Sequence, residues 1–294
     1  MLETLYLWFL EPFLTPDFGF MRRALVGCLV LSLSAAPVGV FLMLRRMSLT
    51  GDAVAHAILP GAALGYIIAG LSLGAMTLGG LLAGWLVAML AGGLARVTVL
   101  KEDANLAVFY LVSLALGVLL VSSQSRNIDL LHLLFGSVLA LNNEALYLLG
   151  GIATLTLLLL AIFLRPLVLE CIDPDFLQRH SRLGTPTHLV FLALVVLNLV
   201  AGFQALGTLM AVGIMILPAT AARFWTRQLD SLLLLAVVLA MLGCWWGLLL
   251  SWHWDWPTGP AIILMLGTLH LVSMLLGTQG LLKRYWPVKK HLQS

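Results

Sequence analysis

Charge is scarce in this chain: 10% of its 294 residues are Asp, Glu, Lys or Arg, against 61% hydrophobic residues and a mean hydropathy of +1.05. That shortage excludes an ordinary soluble domain, in which about a quarter of the residues are charged. Several motifs are missing as well. No Gly-x-x-x-x-Gly-Lys-Ser/Thr loop and no Gly-Lys dipeptide occurs, so the chain does not bind ATP by that route. The absence of His-Glu-x-x-His removes the simplest intramembrane metalloprotease, and no Gly-x-Ser-x-Gly elbow is found. Cys28, Cys171 and Cys244 are widely separated and form no Cys-x-x-Cys pair, which fits packing residues better than a disulfide framework or a thiolate zinc site. Nothing basic and aromatic tracks along a soluble surface, so nucleic-acid binding has no support. Neither an internal repeat nor a low-complexity tract is visible.

What is present is a series of apolar blocks of roughly 17 to 25 residues, the length at which a helix crosses a hydrocarbon core. They fall at 23–44, 52–71, 74–95, 104–121, 145–164, 187–203, 206–222, 229–251 and 257–277. Barrel strands are excluded, being shorter and alternating in polarity. The chain is therefore an all-α polytopic membrane protein of about eight to nine transmembrane helices, with 187–222 open to reading as two short helices that meet within the membrane. Residues 1–18 make a poor signal peptide, broken by Glu11, Pro12 and Pro16; with Tyr6, Trp8 and Phe9 they suit the lipid interface. Residues 19–280 form one membrane domain and 281–294 a basic tail. NIDLLHLLFGSVLALNNE, at 127–144, reads as a partial or re-entrant helix that protein must shelter. With nine crossings and a cytoplasmic C-terminus, all of the 16 Lys and Arg residues except Arg22, Arg23 and Arg126 lie inside, as the positive-inside rule favours. The N-terminus is then outside.

Ionisable residues within apolar blocks ask for a reason, since an Asp there costs about 2.5–3.5 kcal/mol on insertion scales. In SLTGDAVAHAILPG, Asp52 and His56 stand at i and i+4, roughly 40° apart around a helix and about 6 Å apart along it. A carboxylate oxygen and an imidazole nitrogen so placed can meet one divalent cation. Asp52 alone could be explained by the helix dipole in a first turn after Ser48 and Thr50. His56, a turn deeper, has no such reason, and the alternative for it is a satisfied buried histidine. Asp129 and His132, at i and i+3, form a second candidate pair that could supply further ligands or an entry point, or else mark a water-facing helix end. His270 stands alone in the last block, as hydrogen-bonded core histidines do. His253 and Asp255 sit among three tryptophans, where anchoring in the aromatic belt and a Pro-Gly turn explain them. Gly61, Gly65 and Gly70 favour close helix packing.

The longest polar interruption runs over 165–188. It carries Asp173-Pro174 as a turn opener, then a short helix-compatible run to Leu183, with Gly184 and Pro186 as a stop. A loop needed only to reconnect two helices could be shorter.

These segments together resemble the permease subunits of bacterial ATP-binding-cassette importers for zinc, manganese or iron. The resemblance rests on APVGVFLMLRRMSLTGDAVAHAILPG at 36–61, IDLLHLLFGSVLAL at 128–141, ECIDPDFLQRHSRLG at 170–184, GTLMAVGIMILPATAAR at 207–223 and DWPTGPAIIL at 255–264, in the family's order over nearly the whole chain. It implies a vitamin-B12-permease-like bundle of the type II importer class in the inner membrane. It also implies partners: a second copy of the chain, a cytoplasmic ATP-binding-cassette ATPase, a periplasmic or surface metal-binding protein, and lipid. The 165–188 loop then corresponds to the segment seated on the ATPase, with Asp173, Asp175, Phe176 and Gly184 its coupling residues. Leu177, Gln178, Arg179 and His180 are bulkier than the family's usual residues there. Asp52 and His56 are assigned to the metal path, with Asp129 and His132 as a possible receiving station. No cofactor is expected to be resident; ATP would be used only by the partner, and the chain itself would make no covalent chemistry.

Imidazole and carboxylate suit zinc or manganese better than a cuprous ion, and zinc takes first place. Rival readings are an ion-coupled secondary transporter, a membrane metalloenzyme, and a siderophore or vitamin permease. The first would often carry an inverted repeat, the second needs a third ligand and a base, and the third needs no Asp–His pair.

Overall fold

Each of the nine apolar blocks folds as one helix. The structure, a computed structural model, describes residues 13, 15, 18–70, 72–97, 102–123, 138–173, 176 and 184–285. The helices are α1 (Gly19–Leu44), α2 (Ser48–Ala69), α3 (Leu73–Val97), α4 (Glu102–Ser123), α5 (Asn143–Ile172), α6 (Gly184–Leu206), α7 (Thr208–Arg223), α8 (Leu229–Trp254) and α9 (Thr258–Leu276), followed by the short α10 (Leu281–Tyr285). A 3-10 turn at Val138–Ala140 precedes α5. Among the described residues seven helices are long and apolar enough to span a bilayer, and two apolar helical stretches, Leu106–Leu120 and Thr208–Arg223, are shorter.

The centre of the bundle is α1 and α6. In the apolar stretch of each, 72% of residues are buried inside the protein, against 28% for α3 and α5, which lie at the outside of the bundle. Helix α1 packs against α7, α8 and α5, while α2 packs on α3 and α4 as a second group. Close approach sets this arrangement. A side chain at Gly39 of α1 would strike the Met215 carbonyl of α7, and one at Gly61 or Gly65 of α2 would strike the α3 backbone at Gly79 or Ala75. Bare backbone at these crossings lets dispersion contacts form where lipid offers no hydrophobic drive. Gly70 differs from the packing role expected of it: it ends α2 with φ +66 and has open space around its Cα, so it serves the turn.

Prolines lie inside α1, α2, α5 and α7, at Pro37, Pro60, Pro166 and Pro218. Each leaves the carbonyl four residues earlier without its usual donor, which neighbouring helices can tolerate within a membrane protein. Polar side chains pair across helices in the same interior. Asn198 of α6 donates to Thr156 of α5 at 3.0 Å, and Thr77 of α3 donates to Gln204 of α6 at 3.0 Å.

Contacts at the helix ends give the bundle two faces. At one, Arg23 beside the start of α1 donates to the Leu141 carbonyl ahead of α5 at 2.9 Å, and Phe18 lies 4.6 Å from Trp252 near the end of α8. At the other, Gln279 donates to the Phe224 carbonyl at 2.8 Å, joining the ends of α9 and α7. The α6–α7 break is a single residue, Gly207, with φ 95.

The connection between α5 and α6 differs from the interruption expected over 165–188. Helix α5 runs on through Arg165 and Pro166 to Ile172, because the segment after Pro166 keeps helix-forming apolar residues, so the connection proper is 173–183. Gly184 and Pro186 open α6 rather than stop a helix. Proline is tolerated in a first turn, where its missing N–H has no intrahelical partner to lose. Much of 1–18 and 127–144, and the tail beyond Tyr285, lie outside the described residues.

The crossing of α2 and α3 is directly testable. Gly61→Val should lower the thermal midpoint of the detergent-solubilised protein, with a cost of about 1–3 kcal/mol from overpacking. Gly150→Ala, where an added Cβ meets nothing within 4 Å, should leave it unchanged. Equal midpoints for the two variants would contradict this packing.

Candidate functional site

Helix α2 starts at Ser48, with Met47 as an N-cap that makes no side-chain capping bond. Asp52 therefore lies in the second turn, not the first, and the dipole explanation for it weakens because that effect fades within one turn. The buried side of α2 is formed by Thr50, Gly51, Val54, Ala55, Ala57 and Ile58. On the margin of that side, the Asp52 Oδ1 and His56 Nε2 atoms are 3.6 Å apart, with Asp52 59% exposed and His56 21% exposed. At 3.6 Å they do not form a good hydrogen bond. Two such atoms can nevertheless both lie within about 2.1 Å of a single cation, the distance at which imidazole and carboxylate bind divalent metals.

Helix α4 holds the imidazole from the other side. The Tyr110 ring lies 5.1 Å from the His56 ring at an interplanar angle of 56°, and Gly117 brings α4 against Leu59 and Pro60. His56 Nδ1 is buried without a hydrogen-bond partner among the described residues. Pro60, one turn further on, has no N–H to give the His56 carbonyl. Asp52 and His56 thus offer two side-chain donors on a partly open surface, which is an incomplete coordination set. Among the described residues no group of three or more His, Cys, Asp or Glu side chains comes together. Asp129 and His132, the second candidate pair, lie outside the described residues.

The other expected residues separate clearly. His270 Nδ1 is 3.1 Å from Thr220 Oγ1, and its ring meets the edge of Phe224 at 5.6 Å, a satisfied histidine joining α9 to α7. Asp255 takes a left-handed conformation at φ 51 in the α8–α9 turn, beside the exposed Trp254 and Trp256, and Ser251 closes that turn by donating to the Trp256 carbonyl at 2.7 Å. In the 173–183 connection, Asp173 Oδ1 accepts the Phe176 N–H at 2.9 Å, and the Phe176 side chain is exposed. Gly184 is buried at the start of α6. Asp175 and residues 177–183, including Leu177, Gln178, Arg179 and His180, lie outside the described residues.

A cluster that sequence reading had not assembled sits where α1, α5 and α6 meet. Arg45 Nη2 donates to Glu170 Oε1 at 2.7 Å and lies 2.8 Å from His188 Nδ1. The guanidinium also stacks over Phe191, 4.4 Å from the ring centroid. The available signal was a charge at the edge of each of three apolar runs, but 125 residues separate Arg45 from Glu170, and no periodicity links them.

Comparison with known proteins places these features in a context. A family model described as the ABC 3 transport family matches residues 17–277. A manganese import system permease protein, ScaB of Streptococcus gordonii, is 33% identical over 270 residues, covering 91% of this chain and 95% of that protein. A chelated iron transport system membrane protein, YfeD of Yersinia pestis, is 32% identical over 269 residues, covering 90% and 87% respectively. The solved structure of PsaBC from Streptococcus pneumoniae in complex with Fab superposes with a TM-score of 0.80 at 28% identity, covering 92% of this chain and 96% of that one.

The α2 pair leads to a spectroscopic prediction. Pulsed electron paramagnetic resonance of Mn2+ added to the purified chain should show modulation from an imidazole nitrogen, and His56→Ala should remove it. Modulation that survives the substitution would put the ion on another histidine.

Proposed function

Because the chain belongs to the ABC 3 transport family and is a metal-ion permease of that class, we propose that it passes a divalent transition-metal ion inward along a path built around Asp52 and His56. The observation that carries this reading is the 3.6 Å approach of a carboxylate and an imidazole on the partly open side of α2. Membrane helices rarely hold such a pair without a task, and ion pathways are the commonest one.

The chain lacks a phosphate-binding loop, so the energy comes from a separate cytoplasmic ATPase, and a periplasmic or surface metal-binding protein delivers the ion. The 173–183 connection, with Asp173, Asp175, Phe176 and Gly184, is the contact for that ATPase. Its exposed Phe176, set by the Asp173 turn, is suited to insertion into a partner's groove. The face that carries Arg45, Arg46, Arg223 and Arg227 is cytoplasmic, following the positive-inside bias of an inner-membrane protein. Asp52 and His56 then lie about 6 and 12 Å from the start of α2 on that side, by helix rise, so the pair is an inner station of the path.

Two donors do not complete a coordination shell. A second copy related by a twofold axis brings an identical pair, and a homodimer with the path on its axis supplies two carboxylates and two imidazoles. Mixed carboxylate and imidazole ligation without thiolate suits manganese, zinc and ferrous iron alike. Residue chemistry put zinc first; the relatives named for manganese and chelated iron favour manganese, with zinc and iron as competitors.

Reconstitution of the chain with its ATPase and binding protein in proteoliposomes tests the proposal. ATP-dependent uptake of radioactive manganese is expected to exceed that of zinc, and Asp52→Ala or His56→Ala should abolish it while the complex still assembles. Uptake at the wild-type rate in either variant would show that the α2 pair is structural.

A further inference from the structure

Resting on that reading, we propose that Arg45, Glu170 and His188 form a positioning strut that ties both ends of the ATPase-facing 173–183 connection to the hinge at the base of the metal-site helix.

Placement in the chain is the first observation. Glu170 is in the last turn of α5, three residues before the connection begins, and His188 is in the second turn of α6, just after it ends. Arg45 caps α1 and is separated from the start of α2 only by Arg46 and Met47. One guanidinium therefore reaches the two arms that carry the connection from the residue where α1 turns into α2. Asp52 is seven residues beyond Arg45 in sequence, on the helix that this turn aims.

The turn itself is stiff. The Arg46 N–H donates to the Met43 carbonyl at 3.0 Å and the Met47 N–H to the Leu42 carbonyl at 2.9 Å, with Arg46 left-handed at φ 59. This is the Schellman closure usually made with glycine, here built with a residue that pays a steric penalty for it. A closure of this kind passes a displacement of Arg45 to the start of α2 rather than absorbing it.

The cluster also has room to rearrange. Arg45, Glu170 and His188 are 11%, 3% and 10% exposed. His188 Nδ1 lies 2.8 Å from Arg45 Nη2 and 3.2 Å from Glu170 Oε1, between a group that can only donate and one that can only accept. Arg45 Nη2 thus serves Glu170 and His188 together, while Arg45 Nη1 and Glu170 Oε2 are buried with no partner among the described residues. A guanidinium and a carboxylate joined by one bond, each with a spare buried atom, are a small rotation from the two-bond fork that such pairs favour. The second arrangement would draw Glu170 and Arg45 into register as the arms move, giving the strut two discrete states. Leaving buried polar atoms unpaired is costly, and the two-bond arrangement would satisfy both spare atoms.

Coupling efficiency, read as ions taken up per ATP hydrolysed by the complete complex in proteoliposomes, tests the strut. Glu170→Gln is expected to lower this ratio by about tenfold, within the range that substitutions along a coupling element produce, with ATP hydrolysis continuing. Arg45→Lys, which keeps the charge, should retain more of the ratio than Arg45→Met. The double variant Arg45→Met/Glu170→Met leaves no unpaired buried charge, so it should assemble even if a single variant does not, and it should be uncoupled. A wild-type ratio in Glu170→Gln or in the double variant overturns the proposal, and so does a parallel fall of uptake and hydrolysis, which indicates a structural role alone. His56→Ala, measured alongside, separates the two readings: normal uptake there removes the metal-site assignment, while the Glu170 ratio still reports on the strut.

Discussion

Hydrocarbon offers no hydrogen-bond partner, so every backbone amide and buried polar side chain in this chain must be satisfied from within the protein. The helical architecture follows from that requirement, and so does the small number of places where it is relaxed. Four internal prolines and the single-residue break at Gly207 interrupt the ladders, and they occur in helices packed against neighbours. Close contacts at Gly39, Gly61 and Gly65 do for helix association what burial from water does in a soluble domain. Buried side-chain atoms without partners among the described residues include His56 Nδ1, Arg45 Nη1 and Glu170 Oε2 at the two proposed centres, and also Thr50 Oγ1, Asn198 Oδ1 and Gln204 Nε2 elsewhere in the bundle.

The two polar centres differ in a way that matches separate tasks. Asp52 and His56 are partly open and share no hydrogen bond at 3.6 Å, leaving their donor atoms available to a cation. Arg45, Glu170 and His188 are enclosed, bonded to one another and stacked on Phe191, which suits a mechanical element better than a binding site. The guanidinium charge beside Glu170 repels a cation there. Helix α2 and the turn before it join the two centres through the backbone, so the proposed route from the 173–183 connection to the Asp52–His56 pair crosses between chain segments only at the hydrogen bonds of Arg45.

Hydropathy alone placed each of the nine helices, because in lipid an apolar run of sufficient length has no other way to satisfy its backbone. Boundaries were less legible. Arg165 and Pro166 read as the start of a loop, yet α5 continues to Ile172 because a charged side chain near a helix end can extend toward water while its backbone stays helical. Gly184 and Pro186 are chemically equal to a helix stop and a helix start, and only the chain that follows decides between them. The same holds for Gly70, whose small size was legible and whose turn conformation was not.

The sequence by itself determined the membrane class, the placement of the nine apolar segments and the local pairing of Asp52 with His56, all of which depend on interactions within a few residues of chain. The period of the helix brings i and i+4 together wherever the helix packs. What only the tertiary structure decided were the partners of groups distant in sequence: Tyr110 against His56, Thr220 against His270, and Arg45 against Glu170 and His188. Those contacts depend on which helix faces which and at what depth. Residue spacing carries no record of that, because side-chain shape and bare glycine backbone at the crossings set it jointly across the whole bundle.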